Sequence, residues 1–168
     1  METLPVTTEA PARQILEQHF PKLQGKLPIR GGWGYSKEDA VIIDRDDACV
    51  DPRMPFDGVG LEYLFVEKRI YEELIIFRRT GEKFSGIEWQ LIRQSLVPAG
   101  DRTYDLLEFE VKAFHERDWD ELKAEWGRSR WRYFAAVRQR SHLKKRAERQ
   151  LTFRREFWFD ITSFFGRA

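Results

Sequence analysis

Residues 87–113 read IEWQLIRQSLVPAGDRTYDLLEFEVKA. Ile87, Trp89 and Leu91 alternate with Glu88 and Gln90, and Leu107, Phe109, Val111 and Ala113 alternate with Glu108, Glu110 and Lys112. Successive side chains of an extended chain point to opposite faces, so each run predicts a strand with one buried side. Pro98 and Gly100 fall between the runs where the chain must reverse, and together they predict an antiparallel hairpin. Farther on, Phe153, Phe157, Phe159 and Ile161 alternate with Arg154, Glu156, Trp158, Asp160 and Thr162. Aromatic on both sides, this last strand belongs in the middle of the sheet.

Outside these strands the pattern is mixed. Ile15, Leu16 and Phe20 lie about a helical turn apart between Pro11 and Pro21, predicting a short helix over residues 10–20. The glycine-rich stretch 25–34 reads as a loop, Ala40 to Ile43 as a brief β-branched strand, and the acidic stretch 44–60 as a second loop. Leu61 to Glu67 fits helix or strand, whereas Ile70 to Phe77 is rich enough in β-formers to predict a strand. After the hairpin, Asp118 and Glu121 form a capping pair, and Gly127 is placed to close the helix they start. A second helix is expected from Ser129 to Gln150, about 33 Å long at roughly 1.5 Å per residue. The sum is an α+β fold: a mainly antiparallel sheet of four or five strands with helices packed on one face, in a single domain over residues 1–168. Residues 1–9, polar around Pro5, are expected to fray.

Composition narrows the class. Apolar types make up 42% of the 168 residues, enough for a core and too much for a disordered chain. A lone Cys49 leaves no disulfide framework and no multi-cysteine zinc site, which suits a reducing, cytoplasmic compartment. No stretch has the length and apolarity of a membrane span, and no cofactor is implied by any motif.

Charge is divided unevenly. From Arg128 to Arg155 there are eleven basic residues against the single acid Glu148, a charge of +10. With the whole chain at +1, the remainder carries −9. An asymmetry of this size bears on partners rather than on fold. Arg128, Arg130, Arg132, Arg138, Arg140, Lys144, Lys145 and Arg149, interleaved with Trp131, could meet an acidic protein surface or the phosphates and bases of nucleic acid. They could equally answer the chain's own acids. Trp33 and Tyr35, in the glycine-rich loop, are further partner-binding candidates if they face outward.

Other constellations are weaker. Asp44 and Asp46 open a stretch like a calcium loop, but Ala48, Cys49 and Pro55 stand where such a loop needs an acid or Asn, Gly and Glu, so no metal is expected. Glu110 and Lys112 project to one face of a strand like the Glu-x-Lys half of a PD-(D/E)xK nuclease site, a pattern that any polar strand face can produce. Acidic neighbours disfavour a Cys49 thiolate, and His19, His115 and His142 fall in separate elements with no motif around them. The expectation is binding rather than chemistry: recognition of an acidic protein in the style of small bacterial immunity proteins and adaptors, an analogy of class alone. Nucleic-acid binding through residues 128–155 is the second reading, and a metal-dependent nuclease using Glu110 and Lys112 the third.

Overall fold

The structure, a computed structural model, describes residues 5–129 and 135–167, with side chains described outside 128–139. The predicted hairpin is its largest feature. Strands β3 (Phe84–Ala99) and β4 (Arg102–His115) pair antiparallel, and Ala99 opposite Arg102 leaves Gly100 and Asp101 as the connecting loop. Gly100 has φ +62°, the left-handed conformation that a two-residue hairpin turn requires. On its other side β4 pairs antiparallel with β5 (Leu151–Asp160), which runs parallel to β2 (Val41–Ile43); β2 in turn pairs antiparallel with β1 (Ile29–Gly31). The order β1-β2-β5-β4-β3 puts the aromatic strand in the centre, as its two-sided pattern implies. The fold is α+β, with a mainly antiparallel five-stranded sheet.

The expected loop 25–34 contains β1. Three residues are too few to show alternation, and their pairing comes from Ile43, Ile42 and Val41. The strand expected from Ile70 is instead helix: α2 spans Gly58–Tyr71 and passes into a π-helical turn over Glu72–Ile76. Burial shows why. Ile70 and Leu74, four apart, are buried, whereas Ile76 and Phe77 are exposed, which is helical and not alternating phase. Asp57 starts this helix, its side chain accepting the Gly60 backbone N–H at 2.8 Å.

Helix α1 (Ala12–His19) lies inside its predicted span. Helix α3 (Glu116–Ser129) runs through Gly127, which therefore does not end it. Helix α4 covers Ala135–Arg149, shorter than the expected second helix; residues 130–134 of that expectation lie outside the described residues. The core gathers between α2 and the sheet face carrying Leu107, Phe109, Val111, Phe157 and Phe159. Phe65 meets Phe159 edge-on at 5.7 Å, and Tyr63 meets Phe109 at 6.1 Å. Near the start of the described residues, Val6 is buried and its N–H donates to the Tyr35 hydroxyl at 2.7 Å. The α3–α4 pair joins the sheet at the far end of the hairpin, where Trp119 packs on Phe114 at 5.2 Å. A Cβ at Gly86 would stand 2.7 Å from the Trp119 ring, so only glycine admits this approach.

Candidate functional site

Helices α3 and α4 face each other through Trp119, Leu122 and Trp126 on one side and His142 and Arg146 on the other, spaced by three or four residues along each helix. Trp126 lies over the His142 ring at 4.9 Å. Ion pairs join the two helices: Lys145 to Glu125 at 3.2 Å, and Arg149 to Glu121 at 2.7 Å and to Asp118 at 3.6 Å. Arg146 reaches Glu88 on β3 at 3.7 Å. Lys145 and Arg149, expected on a partner-facing surface, thus answer acids of their own chain. Their pairs are solvent-exposed and screened by water and salt, so each contributes little to stability.

Arg140 and Lys144 differ. Both are exposed on the outer side of α4 and make no ion pair among the described residues. Between the helices opens a cavity of about 270 Å³, walled by Trp119, Leu122, Lys123, Trp126, His142, Leu143 and Arg146. Trp126 is 42% and Leu143 57% exposed at its mouth, while His142 is only 7% exposed and its Nδ1 finds no hydrogen-bond partner among the described residues. The side chains of Arg128, Arg130, Trp131, Arg132 and Arg138 lie outside those described.

Trp33 and Tyr35 correct the expectation of outward-facing anchors. Trp33 is 5% exposed and packs on Phe65, because Gly34 at φ +80° turns the chain back onto β5. Tyr35 is half-buried over Arg69, its hydroxyl donating to Glu73 at 2.7 Å. Arg69 is the centre of this interior knot. Wholly buried, its guanidinium stacks 3.6 Å from the Phe157 ring centroid and 4.4 Å from that of Tyr35, and it donates to the carbonyls of Trp33 and Glu156. Glu73 faces both Arg69 at 3.1 Å and Arg155 at 2.9 Å. Burial lowers the Arg69 pKa to about 10, against the opposing pull of Glu73, and the group stays cationic at neutral pH. The knot ties the 33–35 loop, α2 and β5 together.

A second buried polar group joins α2 to the hairpin. Glu62 is 1% exposed and its carboxyl faces that of Asp105, which accepts from Gln94 Nε2 at 2.6 Å. Glu62 Oε2 and Asp105 Oδ1 have no other partner, so one proton held between them satisfies both. Burial, and then the Asp105 charge, push Glu62 up to about 8, and burial raises Asp105 as well. A third buried acid, Glu72, accepts from His19 at 2.7 Å.

The acidic loop is used internally. Asp44 and Asp47 accept the N–H groups of Asp46 and Cys49, Asp47 also pairs with Arg13, Asp51 binds Arg53, and Asp57 caps α2. Among the described residues no three His, Cys, Asp or Glu side chains gather as a metal site. Burial and Asp47 push the Cys49 thiol up to about 11, away from a nucleophilic thiolate. Lys112 pairs with Glu110 at 3.5 Å on the half-exposed sheet face. On that face a depression of about 340 Å³, lined by Tyr35, Ile92, Glu108, Arg154, Arg155 and Glu156, interleaves both signs of charge. Among the described residues, the α3–α4 cavity is where exposed apolar surface and a buried nitrogen without a hydrogen-bond partner coincide.

The chain matches no known protein family, no curated protein and no solved structure. The polar network of Glu62, Arg69 and Glu73 escaped the sequence reading, although these residues recur in helical phase with Phe65, Val66 and Ile70. Charges on the apolar face of a helix are the signal that finds it.

Proposed function

We propose that the protein is a non-enzymatic binding protein that recognises an acidic protein surface through the α3–α4 hairpin, in the manner of an adaptor or immunity protein. The observation that carries this reading is the cavity between the two helices, with Trp126 and Leu143 exposed at its mouth, on a helix that also exposes Arg140 and Lys144 without an ion pair among the described residues. An apolar centre bordered by charge is how protein interfaces are built: the centre supplies binding energy, and the border supplies encounter rate and specificity. His142 Nδ1 gives an incoming group a buried hydrogen-bond partner that no described residue uses.

The test starts from the partner recovered from native cells on tagged protein and proceeds to titration with purified variants. Arg140→Glu combined with Lys144→Glu is expected to slow association and weaken binding by roughly tenfold or more, with the loss shrinking as salt is raised. Leu143→Ala acts mainly on dissociation. Full affinity in both variants would remove the hairpin from the reading. Retention on a polyanion column, with affinity for single-stranded nucleic acid falling steeply with salt, would move the assignment to nucleic acid.

A further inference from the structure

Strand β3 is an outer strand of the sheet, and along its 16 residues one edge of backbone N–H and C=O groups faces no other strand among the described residues. Edges of this length are templates for pairing, and proteins that avoid pairing guard them with lysines, prolines or inward charges. Between Gly86 and Pro98 this edge has no lysine and no proline, and it exposes Ile92 and Leu96 at 42% and 53%. Two bulges interrupt β3, at Ser85/Glu88 and at Leu91/Arg93, and leave the stretch between them regular.

The order of rungs from Glu88 to Arg93, which crosses the second bulge, is self-complementary. Glu88, Trp89, Gln90, Leu91 and Arg93 stand opposite Lys112, Val111, Glu110, Phe109 and Glu108, five successive rungs of the ladder, with Ile92 the extra residue of the bulge. Gln90 is therefore the middle rung. Glu88 and Arg93, the only charged residues of β3, lie two rungs to either side of it on the same face. A two-fold axis through Gln90 sets Glu88 against Arg93 of a second copy, Trp89 against Leu91, and Gln90 against itself. Every rung is matched, charge to opposite charge and apolar to apolar.

We propose that β3 pairs antiparallel with β3 of a second copy of this chain about an axis through Gln90, joining the two sheets into one continuous sheet. Sedimentation velocity over a concentration series, checked by light scattering, is expected to show a dimer. Arg93→Glu sets Glu against Glu at two symmetric rungs, and Glu88→Arg sets Arg against Arg; each is expected to weaken the dimer by roughly tenfold or more. Mixing the two single variants recreates both opposite-charge rungs and restores dimers, which a merely misfolded variant cannot do. Both positions are solvent-exposed, and their internal pairs with Arg146 and Glu108 are surface pairs, so the melting temperature of each variant should stay near that of the parent.

In a Cys49→Ser background, Gln90→Cys is expected to form an intermolecular disulfide on oxidation, and Ser95→Cys, far from the axis, is not. A parent protein that stays monomeric at hundreds of micromolar overturns the proposal. A dimer that ignores both charge reversals, or one that cross-links at residue 95 and not at 90, overturns it equally by placing the contact elsewhere.

Discussion

Glu62 and Asp105 hold two carboxyl groups face to face in the interior, a placement with a definite cost in pH. Burial raises both pKa values above those of the unfolded chain, and the Asp105 charge raises Glu62 further, so the folded state keeps a proton that the unfolded state releases. Stability is therefore greatest below the ordinary carboxylate range near 4.5, falls as pH rises, and levels off above about 8, where Glu62 ionises in the folded state too. Glu62→Gln keeps the shape and a donor toward Asp105 while removing that titration. It is expected to flatten the pH profile of denaturant unfolding and to raise stability at pH 8 by on the order of 2 kcal/mol, with little change at pH 4. Arg69 is the opposite case, a buried charge met by Glu73, two backbone carbonyls and two aromatic rings. Arg69→Ala leaves Glu73 buried with only Arg155 and Tyr35, and is expected to cost about 3–5 kcal/mol in the same measurement. Arg69→Lys should recover little, because an ammonium group cannot lie flat between Tyr35 and Phe157 while reaching two carbonyls. Neither site was legible as a site in the sequence. Their residues recur at helical spacing, but the run that reads as strand begins at Ile70 and takes in Glu73, separating it from Arg69 and hiding the phase.

At the scale of elements, what could be read was what alternates. Strands β3, β4 and β5 are long, half-buried and bounded by turn residues, so local pattern and tertiary environment agree in them. Helix α2 is where they part. Its apolar residues lie on more than one side, four of its buried positions are the charged Glu62, Arg69, Glu72 and Glu73 when the π-helical turn is included, and Ile75–Phe77 imitates a strand. Local sequence could not decide between helix and strand there; the sheet and the knot beneath it do. The overlooked local signal was Asp57, read as one more acid of a loop. Asp57→Ala is expected to lower stability by about 1 kcal/mol, seen as a lower melting temperature, and Asp57→Asn to lose only a fraction of that, since it still offers an oxygen to the Gly60 N–H. Equal losses in the two variants would mean that the carboxylate charge, and not the cap hydrogen bond, matters at this end.

Across the whole molecule, the division into a basic segment and an acidic remainder is resolved unevenly. Arg155 turns into the core to meet Glu73, and Lys145, Arg146 and Arg149 meet acids on α3 and β3, whereas Arg140 and Lys144 stay outward. The inner cations of the basic segment thus tie α4 to α3 and the sheet, while Arg140 and Lys144 make no ion pair among the described residues. That arrangement has a dynamic consequence. The strands of the core carry Leu107, Phe109, Val111, Phe157 and Phe159 wholly or almost wholly buried, while the hairpin is held to them through Trp119 against Phe114 and Gly86 and through surface ion pairs. Few buried apolar contacts mean a low free energy of local opening, so the hairpin should exchange its amide hydrogens as a unit well before the sheet does. Trp119→Ala removes its main apolar contact with the sheet. Hydrogen exchange followed by mass spectrometry is expected to show amides of α3 and α4 exchanging roughly thirtyfold faster in that variant, a loss of about 2 kcal/mol, with β4 and β5 amides nearly unchanged. Acceleration spread evenly over helices and strands would instead make the hairpin part of one cooperative core. The segment proposed to meet a partner would then be as rigid as the sheet beneath it, and binding there would proceed by docking of preformed surfaces without local opening.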